Sequence, residues 1–311
     1  MLTSQSQAEA VVEPRPAYRA FAVTVSGVRR LSPHFVRLTF SGDDLVDFGT
    51  AGLDQRVKIV LPLAESGFAH FPRATDWYGA WRELPEEHRN PFRTYTVRAV
   101  RPESREVDVD FAMHGETGPA SAWAASVQVG DESLIVGPDE LSPGRTLGID
   151  WRPGDVRRVL LAGDETAAPA ICSILESLPA DAQGCAIIEI PTPADALAVV
   201  APAGVSVRWH PRGGGIPQGG ALIPAVRDWT VRTVQGHPDD APTPLDDIDI
   251  DREMLWDVPE GHSLDGEFYA WIAGEASVIK TLRRFLVSEA GLDRRSVAFM
   301  GYWRLGRAEL D

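Results

Sequence analysis

The stretch Phe92-Arg93-Thr94-Tyr95-Thr96-Val97-Arg98 decides how this chain is read. It is dense in aromatic and β-branched residues and follows Pro91, so its propensity is that of a strand. Three neighbouring positions offer a cation, a flat ring and a hydroxyl. Arg93 can fork onto a phosphate, Tyr95 can lie against a heteroaromatic plane, and Thr96 can reach a polar edge with its hydroxyl and backbone N–H. Thr94 stands between them. A flavin asks for all three; a barrel strand with ordinary surface residues accounts for the same letters.

A second stretch, Asp110-Phe111-Ala112-Met113-His114-Gly115-Glu116-Thr117-Gly118-Pro119-Ala120-Ser121-Ala122-Trp123-Ala124, weighs on that choice. A strand runs into a glycine-containing turn, and Pro119 stands where a first helical residue belongs. Such a helix start points free N–H groups and a positive dipole end outward. The small side chains Ala120 and Ser121 let a diphosphate come close. With RTYTVR at 93–98, HGETGPASAWA at 114–124, AGDETAAPAI at 162–171 and GYWRLGR at 301–307, the chain resembles the siderophore-interacting protein family, the flavin-dependent ferric-siderophore reductases. The resemblance spans about residues 20–307. It implies the two-domain layout of ferredoxin-reductase-like proteins, with FAD held by Arg93, Thr94, Tyr95, Thr96, Asp110, Phe111, His114, Gly115, Thr117, Pro119, Ala120 and Ser121.

The chain has 311 residues, enough for two domains. A formal net charge of −15 disfavours nucleic acid and anionic membranes as partners. Nothing approaches the ~18 consecutive apolar residues of a membrane span, and the polar, acidic start lacks the features of a secretory signal. Cys172 and Cys185 have neither metal spacing nor the numbers of a disulfide framework, so two buried, reduced thiols are expected. The expectation is a cytoplasmic monomer. The 30 basic residues include only two lysines, Lys58 and Lys280. Coding bias explains the excess of arginine and leaves the two lysines as candidates for a specific role.

Residues 1–19 read as a flexible arm. From 20 to 150 short alternating segments (20–28, 35–41, 56–63, 92–100, 106–111 and 133–136), with one helix near 120–126, predict a six-stranded antiparallel barrel. The insertion at 64–90 reads as a surface loop in preference to a lid over the flavin's adenine. On the strand at 56–63, Arg56, Lys58 and Val60 share a face opposite Val57 and Ile59; the family resemblance gives Lys58 a place facing the substrate. Relatives often place an arginine after the Gly-Pro turn at 137–138, where this chain has Asp139-Glu140.

From 151 to 311 the grammar becomes strand–helix alternation, predicting a parallel α/β domain. A boundary falls at 142–153, and Trp151 is expected to pack across it. The first turn, Ala162-Gly163-Asp164-Glu165-Thr166, has one glycine and is no GxGxxG fingerprint. The resemblance implies a loosely held NAD(P)H at the strand C-termini, with Asp164 and Thr166 facing the cofactors; a helix-cap role fits Thr166 equally. His210-Pro211-Arg212 replaces the His-Arg-Gly of relatives, and Arg212 reads as a surface turn or a phosphate contact. The acidic segment 230–264 reads as a surface excursion whose Asp246, Asp247, Asp249 and Asp251 do not make a metal site. Lys280, on a helix that opens at a strand end, matches a cleft-lining base of the family. Tyr302 or Trp303 in the tail is placed to wall the isoalloxazine.

The resemblance thus implies hydride from NAD(P)H to FAD, then single electrons to Fe(III) in an anionic ferric siderophore drawn by Lys58 and Lys280. Three alternatives stay open: a flavin reductase serving another acceptor, a reduced ferredoxin as donor, or a siderophore-binding module without catalysis.

Overall fold

A computed structural model of the chain describes residues 15–113, 118–233, 248–250, 253–259 and 268–306. Six antiparallel strands, β1 (Tyr18–Ser32), β2 (Phe35–Ser41), β3 (Arg56–Val60), β4 (Phe92–Arg101), β5 (Glu106–Ala112) and β6 (Glu132–Pro138), close into a barrel of order β1-β2-β5-β4-β3-β6. The alternation that predicts half-buried strands is realised in register: Val57 and Ile59 point into the barrel core with Phe21, Leu38, Val97 and Phe111. Lys58 pairs with Thr94, and Arg56 with Thr96, on the opposite face. Helix α2 (Pro119–Ser126) closes one end of the barrel, burying Ala120 and Ala124.

The insertion is packed structure, which corrects the loop reading. Helix α1 (Trp77–Glu83) is capped by Asp76, and its Trp77 and Trp81 lie against Phe92 at ring separations of 5.7 and 4.9 Å. The buried Asn90 side chain donates to the Leu61 and Gly67 carbonyls, and the Trp81 indole donates to the Asn90 carbonyl. Apolar burial on the outer barrel wall therefore fixes this segment. The end of the arm is also tied down. Arg15 and Arg19 both bind Asp139, and Tyr18 already belongs to β1.

The second domain is a six-stranded sheet of order β10-β12-β11-β7-β8-β9. Its strands are β7 (Arg158–Gly163), β8 (Gln183–Ile190), β9 (Gly204–Pro211), β10 (Trp256–Asp257), β11 (Phe268–Glu275) and β12 (Val297–Trp303), with helices α3 (Ala168–Ser177), α4 (Leu222–Thr233) and α5 (Ala276–Arg283). The alternation is right for the parallel strands; β10 runs antiparallel at the edge. This strand lies inside the segment read as an acidic excursion. There Leu255 is buried and Trp256 stacks on Tyr302, so apolar residues hold this part of it to the sheet. Asp246, Asp247 and Asp251 lie outside the described residues. Both cysteines are buried and unbridged, and burial pushes the Cys172 thiol up to about 12. Among the described residues no helix is long and apolar enough to cross a membrane.

The joint between domains is built on a buried carboxylate. Asp54, 1% exposed, accepts the backbone N–H groups of Asp150 and Trp151 and the indole N–H of Trp271 on β11 at 2.9 Å. Trp151 packs edge-on against Tyr269, 5.4 Å away, which places it across the joint as expected. Phe35 of the barrel belongs to the core of the second domain. Asp195 adds a latch, accepting from Ser32 and from the His34 backbone and ring. Burial works against ionisation of Asp195, yet bonds from Thr192, Ser32 and His34 outweigh it and hold the carboxyl at about 2.

Burial, then the nearby Asp150 charge, pushes the Asp54 carboxyl up to about 6. Its native state therefore binds a proton more readily than the unfolded chain does, whose Asp titrates near ~4. That contribution to stability is fully present below the unfolded value and is lost as pH rises through about 6. Trp271→Phe removes one donor and leaves a small void, and should cost roughly 2–4 kcal/mol. The loss should be larger at pH ~8 than at pH ~5, because the missing donor favours the ionised form. Urea unfolding at both pH values checks this; an equal loss at both would contradict the role of Asp54.

Candidate flavin site and substrate face

Strand β4 sorts its residues by parity. Arg93 and Tyr95 share the face on which Val57 and Ile59 stand, and Thr94 and Thr96 share the outer face with Lys58 and Arg56. Tyr95 packs on the fully buried Phe111 at a ring separation of 4.2 Å, and Phe111 in turn touches Trp123 of α2 at 6.0 Å. The two sequence stretches that suggested a flavin thus meet through this aromatic contact. Arg93 stands at the start of the strand, its Nη1 donating to the Phe92 carbonyl at 2.6 Å. His114, Gly115 and Thr117 lie outside the described residues.

The start of α2 fits a diphosphate. Pro119 is the first helical residue, Ala120 and Ser121 follow, and a Cβ added at Gly118 would meet nothing within 4 Å. Among the described residues no side chain caps this N-terminus, so its N–H groups and dipole remain available to an anion. A cleft of about 660 Å³ reaches α2 at Trp123 and is lined otherwise by Phe68 and Arg73 of the insertion and by Asp131 and Glu132. That volume is within the range of small-molecule sites. The insertion walls this cleft.

Asp110 is placed differently from a cofactor ligand. Its carboxylate takes both Nε and Nη2 of Arg37, at 2.6 and 2.8 Å, and Arg98 lies 3.8 Å away. Arg98 itself forks onto Glu176 of α3. These groups join barrel to helix.

On the outer face, the Lys58 ammonium donates to the Thr94 hydroxyl at 3.1 Å and lies 4.8 Å from the Phe92 ring centroid. Arg56, one pair along, stacks its guanidinium over Trp256 at 4.4 Å and pairs with Asp150. Trp256 then stacks on Tyr302 at 5.8 Å, and Tyr302 meets Trp271 edge-on. A continuous strip therefore runs from the RTYT strand to the tail of the second domain. Sequence reasoning missed Arg56 and Trp256 as parts of it; a lone tryptophan in an acidic stretch was the available signal.

The tail is held by Asp164, whose Oδ2 accepts the Trp303 indole N–H at 2.9 Å, the Glu275 N–H at 2.8 Å and the Gln218 amide at 3.1 Å. Its Oδ1 accepts the Thr166 N–H and hydroxyl. Burial, then the Glu165 charge, raises the Asp164 pKa. Asp164 thus stands at the strand ends as expected, fully engaged by protein donors. A side chain at Gly274 would strike this carboxylate at 2.7 Å, and φ there is 149°, so glycine is required twice over. Lys280 lies apart from Lys58 in its contacts: it is on α5 and donates to the Ile248 carbonyl at 2.7 Å.

Two departures from the relatives' pattern now have physical accounts. Asp139, where relatives often carry arginine, is buried and anchors Arg15, Arg19 and the Leu141 N–H. Arg212 is neither a loose turn residue nor available to a phosphate. It makes a two-pronged pair with Glu165 at 2.6 Å and reaches Glu189 at 3.1 Å.

Residues 24–141 match the siderophore-interacting FAD-binding domain, and residues 156–306 match the siderophore-interacting protein domain. An uncharacterized protein of Mycobacterium tuberculosis is 35% identical over 93% of this chain and 91% of its own length. The chain belongs to the siderophore-interacting protein family. Ferric vibriobactin reductase ViuB of Vibrio cholerae is 28% identical to this siderophore-interacting protein, covering 90% of this chain and 87% of ViuB. The crystal structure of the siderophore-interacting protein SipS from Aeromonas hydrophila superposes with a TM-score of 0.65 at 28% identity, over 94% of each chain. The barrel is therefore an FAD-binding domain.

Ser121→Asp sets two effects against each other. A carboxylate in the first turn should leave the apoprotein as stable or more so, by about 0.3–1 kcal/mol. The same charge should weaken FAD binding by roughly tenfold or more through repulsion of the diphosphate. Thermal melting of the apoprotein and an FAD titration read the two separately. Unchanged FAD affinity would remove the α2 start from the site.

Proposed function

We propose that this siderophore-interacting protein is a cytoplasmic FAD-dependent reductase of ferric siderophores, releasing the metal as Fe(II). The observation that carries the reading is the pairing of Lys58 with Thr94, which sets a cation one strand away from the flavin motif, on the outer face of β4. When bound, FAD supplies chemistry that amino acids lack, taking an electron pair from a donor and passing electrons singly to a metal.

The chain's own residues supply position and charge. Arg93 and the start of α2 suit the two ends of a phosphate grip. Tyr95, braced by Phe111, offers a ring fixed in orientation, and Thr96 offers a polar edge. Lys58 attracts an anionic chelate to this side. The Arg56–Trp256–Tyr302 stack continues the same strip from β3 to the tail of the second domain. No general acid or base is needed at the iron, because Fe(II) leaves hard anionic oxygen ligands far more readily than Fe(III). Lys280, given a substrate role by the family resemblance, is the second cation of the reading.

Lys58→Ala should raise KM for an anionic ferric siderophore by roughly 5–10-fold, about 1–1.4 kcal/mol of lost attraction, with FAD content unchanged. Lys280→Ala should act in the same direction. A neutral ferric chelate should be reduced equally well by wild type and variants. Equal KM values for the anionic chelate would remove these lysines from the substrate face.

A further inference from the structure

Parallel α/β sheets bind the phosphates of dinucleotides where helices begin at the strand C-termini, using free backbone N–H groups and the positive dipole end. In this protein those positions are met by its own acceptors, carboxylates at α4 and α5 and a backbone carbonyl at α3. At α3, Asp164 takes the Thr166 N–H with its side chain and the Ala167 and Ala168 N–H groups with its carbonyl. At α4, Glu189 takes the N–H groups of Gly219, Ala221 and Leu222 at 2.7–2.8 Å. At α5, Glu275 takes those of Ser277 and Val278. All three carboxylates are buried, Glu189 completely. Arg212, in the turn after β9, is engaged by Glu165 and Glu189.

The contrast with the barrel is internal to the chain. The α2 start has an open glycine, small residues and no capping side chain among the described residues. In the second domain α4 and α5 start on an internal carboxylate, and α3, which carries no side-chain cap either, has its first N–H group taken by the Asp164 carbonyl and a proline next to it. A diphosphate arriving there would find the donors taken and buried negative charge beneath them. Displacing Glu189 would leave a fully buried carboxylate without its backbone donors, which costs far more than an exposed phosphate contact returns.

We infer that the second domain does not grip the diphosphate of a nicotinamide dinucleotide, and that the donor is recognised through its dihydronicotinamide ring alone. The inference rests on the reductase reading and specifies the donor side of that site. NADH, NADPH and reduced nicotinamide mononucleotide should therefore be near-equivalent. In each the ring gives up a hydride, carrying two electrons to the bound FAD, and leaves as the pyridinium.

The test uses the FAD-loaded full chain in anaerobic stopped flow. Second-order rate constants for flavin bleaching by the three donors should agree within roughly fivefold. Calorimetry with ADP-ribose, which carries the diphosphate without the ring, should give no saturable heat up to millimolar concentration. A dinucleotide faster than reduced nicotinamide mononucleotide by about 100-fold or more would overturn the inference, as would ADP-ribose binding at micromolar concentration. Bleaching by none of the three would overturn it too. In every case dithionite-reduced protein is mixed with a ferric siderophore as a separate arm. Reoxidation there keeps the reductase reading whatever the donors do, and its absence removes that reading independently.

Discussion

Much of this structure depends on the hydrogen bonds that hold one buried carboxylate. Asp54 leaves the barrel just before β3 and meets the Trp271 indole of the second sheet and two linker N–H groups. An ionised group so deep is tolerated only with several donors. Those donors come from the linker and from the second sheet while the acceptor stands just before β3, so the bond set fixes β3 against β11. Arg56 and Lys58 follow Asp54 by two and four residues, and the tail strand β12 lies beside β11. The distance between the flavin strand and the aromatic tail is thereby set by the joint. Asp195 and the Arg98–Glu176 pair brace the same interface farther along.

Buried carboxylates meet backbone donors again at the sheet edge. Glu189 and Glu275 each satisfy a helix start with a carboxylate, and Asp164 holds the turn before α3 through Thr166. These bonds make the edge rigid and anchor the tail through Trp303. They also separate the two domains chemically: the barrel keeps a helix start available to phosphate, and the sheet closes its own. Fold likeness to ferredoxin reductases therefore does not carry over a dinucleotide grip residue by residue.

The barrel and the alternation of the second half were legible because each rests on local periodicity. What escaped had long-range causes. Asp54 reads as an ordinary loop residue; its role appears only when Trp271, more than two hundred positions away, closes on it. Residues 64–90 lack a clear period because their tryptophans pack on the outside of a barrel wall. Trp256 is a single apolar signal among acids. Arg212 was weighed between solvent and phosphate, since its partners Glu165 and Glu189 come from two other strand ends. Asp139 was seen as a departure, but its partners Arg15 and Arg19 sit in a stretch that looked like a loose arm.

Electron transfer from this protein's flavin to chelated iron is the step on which its proposed role turns. The direct measurement is to reduce the FAD-loaded protein without oxygen, mix it with a ferric siderophore, and follow flavin absorbance alongside a ferrous-specific chelator. Yellow colour should return as Fe(II) is captured, with each two-electron flavin reducing a pair of irons. A flavin that stays reduced in the presence of bound ferric chelate would contradict that role.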